Sequence, residues 1–217
     1  MTDAEFDAAL VKAAFIQGAE DGWPRVTAAS AALKAGLDLA TARARFPRRG
    51  TILQKFGELA DVHALTGAAG EGETHDRLFD IVLRRFDFLQ MHRAGVIALL
   101  KIVPLHPGLS LWLVKANLAS MGWMLEAAGV PAKGIRGALR KKGLAAVWAW
   151  GMKAWLRDET EDLSATMAAV DVALKRAGQV AGYCTIPNFS GDPAPAMPAA
   201  EPDAPFTPED EPPPVVL

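Results

Sequence analysis

Arg43, Arg45, Arg48 and Arg49 fall within a single short stretch, with Arg25, Lys34 and Lys55 extending the run on either side. From Arg25 to Lys55 there are seven Lys/Arg against one acid, Asp38, a local charge of +6 on a chain whose net charge is −2. Guanidinium groups at this density suit phosphate, which they hold through forked, charge-assisted hydrogen bonds. Thr27 and Thr41 add hydroxyls in the same stretch. Such groups bind a nucleic-acid backbone or reach base edges, so the chemistry predicted is polyanion recognition, with double-stranded DNA as the partner.

The elements that would carry these residues can be read from Gly22 to Ile52. Thr27 can cap a short helix whose Ala28, Ala31 and Ala32 permit close packing. Gly36 suits the left-handed turn that ends it, and Asp38 can cap the next helix, Leu39 to Phe46. That second helix exposes Thr41, Arg43 and Arg45, and Pro47 stops it. Arg48 and Arg49 then stand at the start of a longer helix. Two short helices joined by a glycine turn, the second rich in arginine, form a helix-turn-helix, in which one helix braces and the next enters the major groove.

These residues resemble the N-terminal domain of TetR-family transcriptional regulators, without gaps from Gly22 to Ile52. Gly22-Trp23 stands where that family has glycine and an aromatic residue, and Gly36-Leu37-Asp38 where it has Gly-Val-Ser. Thr41 matches the recognition-helix threonine, and Phe46-Pro47-Arg48-Arg49 stands for Phe-Pro-Ser-Lys. The chain departs from the family at Val26, Ala29 and Arg43, which replace a phosphate-contacting threonine, a polar residue and a tyrosine, and in its acidic arm MTDAEFD. The chain is also similar to the lipid-binding accessory proteins of ubiquinone biosynthesis, which share the fold. They too carry Gly-Trp at this place and, near the C-terminus, an acidic turn like Asp158-Glu159-Thr160-Glu161-Asp162-Leu163 followed by Thr166. Both resemblances imply an all-α, TetR-like fold; the first implies a ligand-responsive DNA-binding regulator, the second a lipid- or quinone-binding protein that does not use the fold on DNA.

Composition agrees with a helical protein. Apolar residues make up 51% of 217 residues, with Ala and Leu outnumbering β-branched types. Cys184 is the only cysteine, which excludes an internal disulfide and a cysteine-based metal cluster and fits a reducing cytoplasm. The N-terminus is not a signal peptide, and lysines interrupt the apolar runs at 101 and 153, short of the ~20 residues of a membrane span. Apolar periodicity and Gly/Pro punctuation predict about nine helices. Residues 1–66 read as the helix-turn-helix domain and 73–183 as a helical domain, joined by a flexible connector from Gly67 to Gly72. Residues 184–217 hold ten prolines, six acids and no basic residue, the composition of a disordered tail.

Catalysis finds no constellation. The four histidines are scattered without metal-pair spacing, and no nucleophile elbow or Cys-His arrangement is present, so neither an enzyme nor a cofactor is expected. Phe86, Leu89, Trp112, Met121 and Met124 offer adaptable apolar surface for a small apolar or amphipathic ligand, with His92 and Asn117 as polar anchors. The tryptophan-rich helix 133–157, with the helix after it, reads as a homodimer face carried by Trp148, Trp155, Met167, Val170 and Leu174. Asp80 and Arg84 are spaced as an ion pair, and Asp158 with Glu161 as a capping box for a helix starting near Thr160.

Overall fold

Local capping sets the starts of the first three helices in the computed structural model, which describes residues 1–68, 72–160 and 162–183. Helix α1 (Asp3–Glu20) opens on a reciprocal capping box, with Glu5 N–H donating to Thr2 Oγ1 at 3.3 Å and Thr2 N–H to Glu5 Oε2 at 2.7 Å. A 3-10 turn, Trp23–Arg25, leads to α2 (Ala28–Lys34), where Thr27 and Ser30 cap each other at 3.0 Å. Gly36, at φ +66°, makes the left-handed turn that a side chain would strain, and Leu37 N–H closes it on Ala32 O at 2.9 Å. Helix α3 (Leu39–Arg45) begins at Asp38, whose Oδ2 accepts from Thr41 N–H at 2.7 Å. Then follow α4 (Arg49–Leu65), α5 (Thr74–Met91), α6 (Arg93–Ile102), α7 (Pro107–Ala127), α8 (Gly134–Trp155) and α9 (Ser164–Tyr183). The described residues form an all-α fold of these nine α-helices, with two 3-10 turns and no strand.

Residues 1–183 make one unit. Helix α1 packs on α2, α4 and α6, while α4 also meets α5 and α7, so the core continues from Phe6 and Leu10 through Ile52 to Phe86, Met121 and Trp155. Close approach of α1 to α6 depends on Gly95, where a Cβ would lie 2.4 Å from the Phe15 carbonyl oxygen. Trp23 locks the same junction. Its indole covers Gly18 and donates to Gly95 O at 3.0 Å.

Three local expectations are corrected. Helix α9 begins at Ser164, because Asp158 does not cap a helix at Thr160. Its buried carboxylate instead bridges forward, accepting from Thr160 N–H and Oγ1 and from Thr166 N–H and Oγ1 at 2.5–3.1 Å. Asp80 does not pair with Arg84, whose guanidinium donates to Thr66 O at 2.5 Å at the end of α4. Trp148, Trp155, Val170 and Leu174 do not form an outward face: all four are buried within the chain. Trp148 stacks on Phe86 with centroids 4.3 Å apart, and Gly151 lets α8 close on Phe86 and Val170. Of the expected dimer residues only Met167 is exposed. The expectations for Ala69–Glu71 in the connector, for Glu161 and for the 184–217 tail lie outside the described residues.

Candidate nucleic-acid interface

The basic stretch divides by what its side chains touch. Arg45, expected to meet DNA, turns inward. Its Nε and Nη2 donate to the two carboxylate oxygens of Asp7 at 2.6 and 2.7 Å, and Nη1 lies 2.6 Å from Asp3 Oδ2. Lys55 Nζ of α4 approaches Asp7 Oδ2 at 3.5 Å. Asp7 thus ties α1, α3 and α4 together, and Arg45 positions α3 instead of reading a ligand. The hydrogen bonds from Arg45 hold the Asp7 carboxyl below the usual carboxylate range, against the opposing effect of burial. A signal for this was present in the sequence: Asp7 shares the inward stripe of α1 with Leu10, Val11 and Ala14, and a carboxylate there needs a cation.

Arg43, Arg48 and Arg49 face solvent. Arg43 Nη1 donates to Pro47 O at 3.1 Å, folding the side chain back along the end of α3, and Arg49 Nη2 donates to Pro24 O at 2.8 Å. Both bonds are exposed and leave other guanidinium donors outward. Arg48 occupies the N-cap position of α4. Arg25 is exposed on the 3-10 turn, while Lys34 is paired with Glu20. Thr27 is half-buried with its hydroxyl engaged in the α2 cap, and Thr41 is half-buried in the first turn of α3. The remaining solvent face of α3 is Leu39, Ala40 and Ala44.

The expected ligand residues do not share a surface. Phe86, Leu89, Met121 and Met124 are buried core. His92 is half-buried among Phe15, Phe56 and Phe88, its ring 5.0–5.8 Å from theirs, and burial lowers its pKa. Trp112 is half-buried, and Asn117 Oδ1 accepts from Arg85 Nη1 at 3.0 Å. A cleft of about 460 Å³ opens elsewhere, between the end of α1 and α6, lined by Gly18, Trp23, Ala94, Ile97, Lys101 and Ile102 among others.

Arg85 itself was not anticipated. It is buried, 3.2 Å from Asp61 Oδ1 and 3.3 Å from Ser120 Oγ, with its guanidinium 4.7 Å from the Trp148 ring. Ser120 Oγ also donates to Asp61 Oδ2 at 2.5 Å. Burial pushes the Asp61 carboxyl up and lowers the Arg85 guanidinium, each opposed by the other's charge. The signal was its place on the apolar stripe of α5, in line with Leu78, Val82 and Leu89. Among the described residues no three His, Cys, Asp or Glu side chains gather as a metal site.

A helix-turn-helix docked on a helical body has a match among solved structures. The TetR transcriptional regulator from Nitrosomonas europaea ATCC 19718 superposes with a TM-score of 0.66, covering 81% of this chain and 99% of that one at 18% identity. The fold is TetR-like. A TetR family transcriptional regulator, PfmR, from Thermus thermophilus aligns over 76% of this chain and 97% of its own at 15% identity, with a TM-score of 0.48 that carries no weight. No family model matches the sequence, and no curated protein matches it significantly. Among the described residues α2 and α3 form the helix-turn-helix, and no single helix is long and apolar enough to cross a membrane.

Proposed function

We propose that this chain is a DNA-binding transcriptional regulator responsive to a small apolar or amphipathic ligand. The observation that carries the reading is a capped helix-turn-helix with Arg25, Arg43, Arg48 and Arg49 facing solvent around α3. Arg43, with Thr41 beside it, meets the groove; Arg48 and Arg49 hold phosphate at the head of α4. Arg45 contributes through Asp7, by fixing the angle at which α3 leaves α1. The cleft beside Trp23 and Lys101 offers a ligand the space that the filled core around Phe86 and Met121 does not. A homodimer reading a two-fold operator would use the exposed α9 side chain Met167.

Selection of genomic fragments with the purified protein tests this. A regulator enriches a palindrome, and its affinity falls with salt by about one unit of log–log slope per phosphate neutralised. Arg48→Ala lowers that slope by about one on every sequence, whereas Arg43→Ala relaxes preference among sequences. Recovery of no enriched site at moderate salt defeats the reading.

A second reading, a lipid- or quinone-binding accessory protein that does not act on DNA, is favoured by one observation. With Arg45 turned to Asp7, Arg43 is the single outward cation of α3, among Leu39, Ala40 and Ala44. It predicts feeble DNA binding without preferred sequence, and quinone-like lipids that co-purify.

A further inference from the structure

The outward face of α3 is poor in hydrogen-bonding groups. Leu39, Ala40, Arg43 and Ala44 recur at helical spacing and all are exposed, Leu39 to 45%. Ala42 is buried, Arg45 is held by Asp7, and Thr41 is half-buried in the first turn. Asp38 spends its carboxylate on the helix it caps, accepting from Thr41 N–H at 2.7 Å. What α3 offers a duplex is one guanidinium set among three aliphatic side chains, and the helix holds no Asn or Gln.

That guanidinium is already oriented. Arg43 Nη1 donates to Pro47 O at 3.1 Å, and among the described residues its Nε and Nη2 have no acceptor. Two donors on one guanidinium edge match O6 and N7 of guanine, and no other base presents two acceptors in the major groove. Adenine presents a donor beside an acceptor, which Asn or Gln answers and this face does not. Thymine presents a methyl group, and Leu39, Ala40 and Ala44 are the apolar surface to meet it. A phosphate would satisfy Arg43 too, but it would leave those three side chains facing water; base edges satisfy both. From Leu39 to Ala44 the helix rises about 7.5 Å, a little over two base-pair steps of about 3.4 Å. Resting on the DNA-binding reading above, we infer that each operator half-site is specified by one guanine, bound by Nε and Nη2 of Arg43, with thymine methyls within about three base pairs packed on Leu39, Ala40 and Ala44. Arg43 stands where the chain departs from the TetR-family pattern, so this preference belongs to the chain and not to its fold.

Selection of genomic fragments with the full-length protein supplies the site, and altered duplexes then test its readout without altering the protein. Deoxyuridine in place of the half-site thymines removes only their methyls and lowers affinity about fourfold for each methyl buried. The same exchange outside the half-sites has no effect. Arg43→Gln moves the preference at the guanine to adenine, because an amide presents a donor beside an acceptor, and the swing between the two bases is about tenfold or more. The side chain is exposed, so the thermal midpoint of this variant stays that of wild type. An enriched site without a fixed guanine and neighbouring thymines, or one bound equally well with deoxyuridine, overturns the inference and leaves the DNA-binding reading standing. Guanine preference retained in Arg43→Gln overturns it as well, since another side chain then reads that base. No enriched site at moderate salt defeats both.

Discussion

Replacing Asp158 with Asn changes one oxygen to an amide nitrogen and should loosen the whole α8–α9 junction. Four donors converge on the Asp158 carboxylate, two of them backbone N–H groups, from Thr160 and Thr166. A hydroxyl can turn to accept from an amide, but a backbone N–H cannot, so at least one buried N–H loses its partner. Burial alone would raise the Asp158 pKa; the bonds from Thr160 and Thr166 outweigh it and bring the value from 3.8 to about 2. That difference corresponds to about 2 kcal/mol held by the charged form. The folded-state pKa lies below the unfolded one, so this contribution is fully present above about pH 4 and is lost as pH falls toward 2. Urea unfolding of wild type and Asp158→Asn at a series of pH values measures it directly. At neutral pH the variant should be about 2 kcal/mol less stable, and the gap should close as pH falls through the window between the two pKa values. Other carboxylates titrate in both proteins and cancel in the difference. A gap of constant size from neutral pH to pH 2 would refute the reasoning.

Three further outcomes follow from contacts already described. Trp148→Ala removes the ring between Phe86 and Arg85 and should cost about 3–5 kcal/mol with no change in sedimentation state; dissociation of a dimer without loss of stability would restore Trp148 to an interface. Asp61→Leu leaves the buried Arg85 guanidinium without its counter-charge and should cost about 3–5 kcal/mol, while the double change Asp61→Leu with Arg85→Met should recover most of it; additive losses in the double mutant would show that the two side chains are not coupled. Gly95→Ala sets a methyl 2.4 Å from the Phe15 carbonyl, which has no flexible end to give way, and should lower stability by about 1–3 kcal/mol or more; an unchanged urea midpoint would mean that α6 can shift off α1 at little cost.

The fold was legible because its punctuation is local. Thr27, Gly36, Asp38 and Pro47 bound α2 and α3 where capping chemistry puts them, and the run from Thr74 to Met91 is set by its apolar periodicity. Side-chain destinations were less legible, since they depend on which helix faces which. Arg45 and Arg43 lie two residues apart and read alike in sequence; only the packing of α1 on α3 gives one of them Asp7. Arg84 and Arg85 pose the same problem, one bound outward to a carbonyl and the other buried at Asp61. The tryptophans of α8 were read as an outward face because a helix with apolar residues on several sides does not say which side its own chain covers. Gly151 decides it, by letting Phe86 and Val170 close over the Trp148–Trp155 side and leaving the Ile135–Trp150 side open.

The grip on Trp23 bears on how motion can travel. Its indole lies against Gly18 and is bonded to Gly95, and Gly95 admits Phe15 at a distance no side chain could share. Sliding α6 by a single residue along α1 would carry Ala94 or Val96 into that backbone contact, a step of about 1.5 Å that the junction forbids. Helices α1 and α6 therefore behave as one beam, and Asp7 fastens α3 to the same beam through Arg45. The cleft beside Trp23 is cut into this beam. Cleft and α3 are thus joined through parts that cannot slip past one another, so a displacement at one end of the beam is carried to the other.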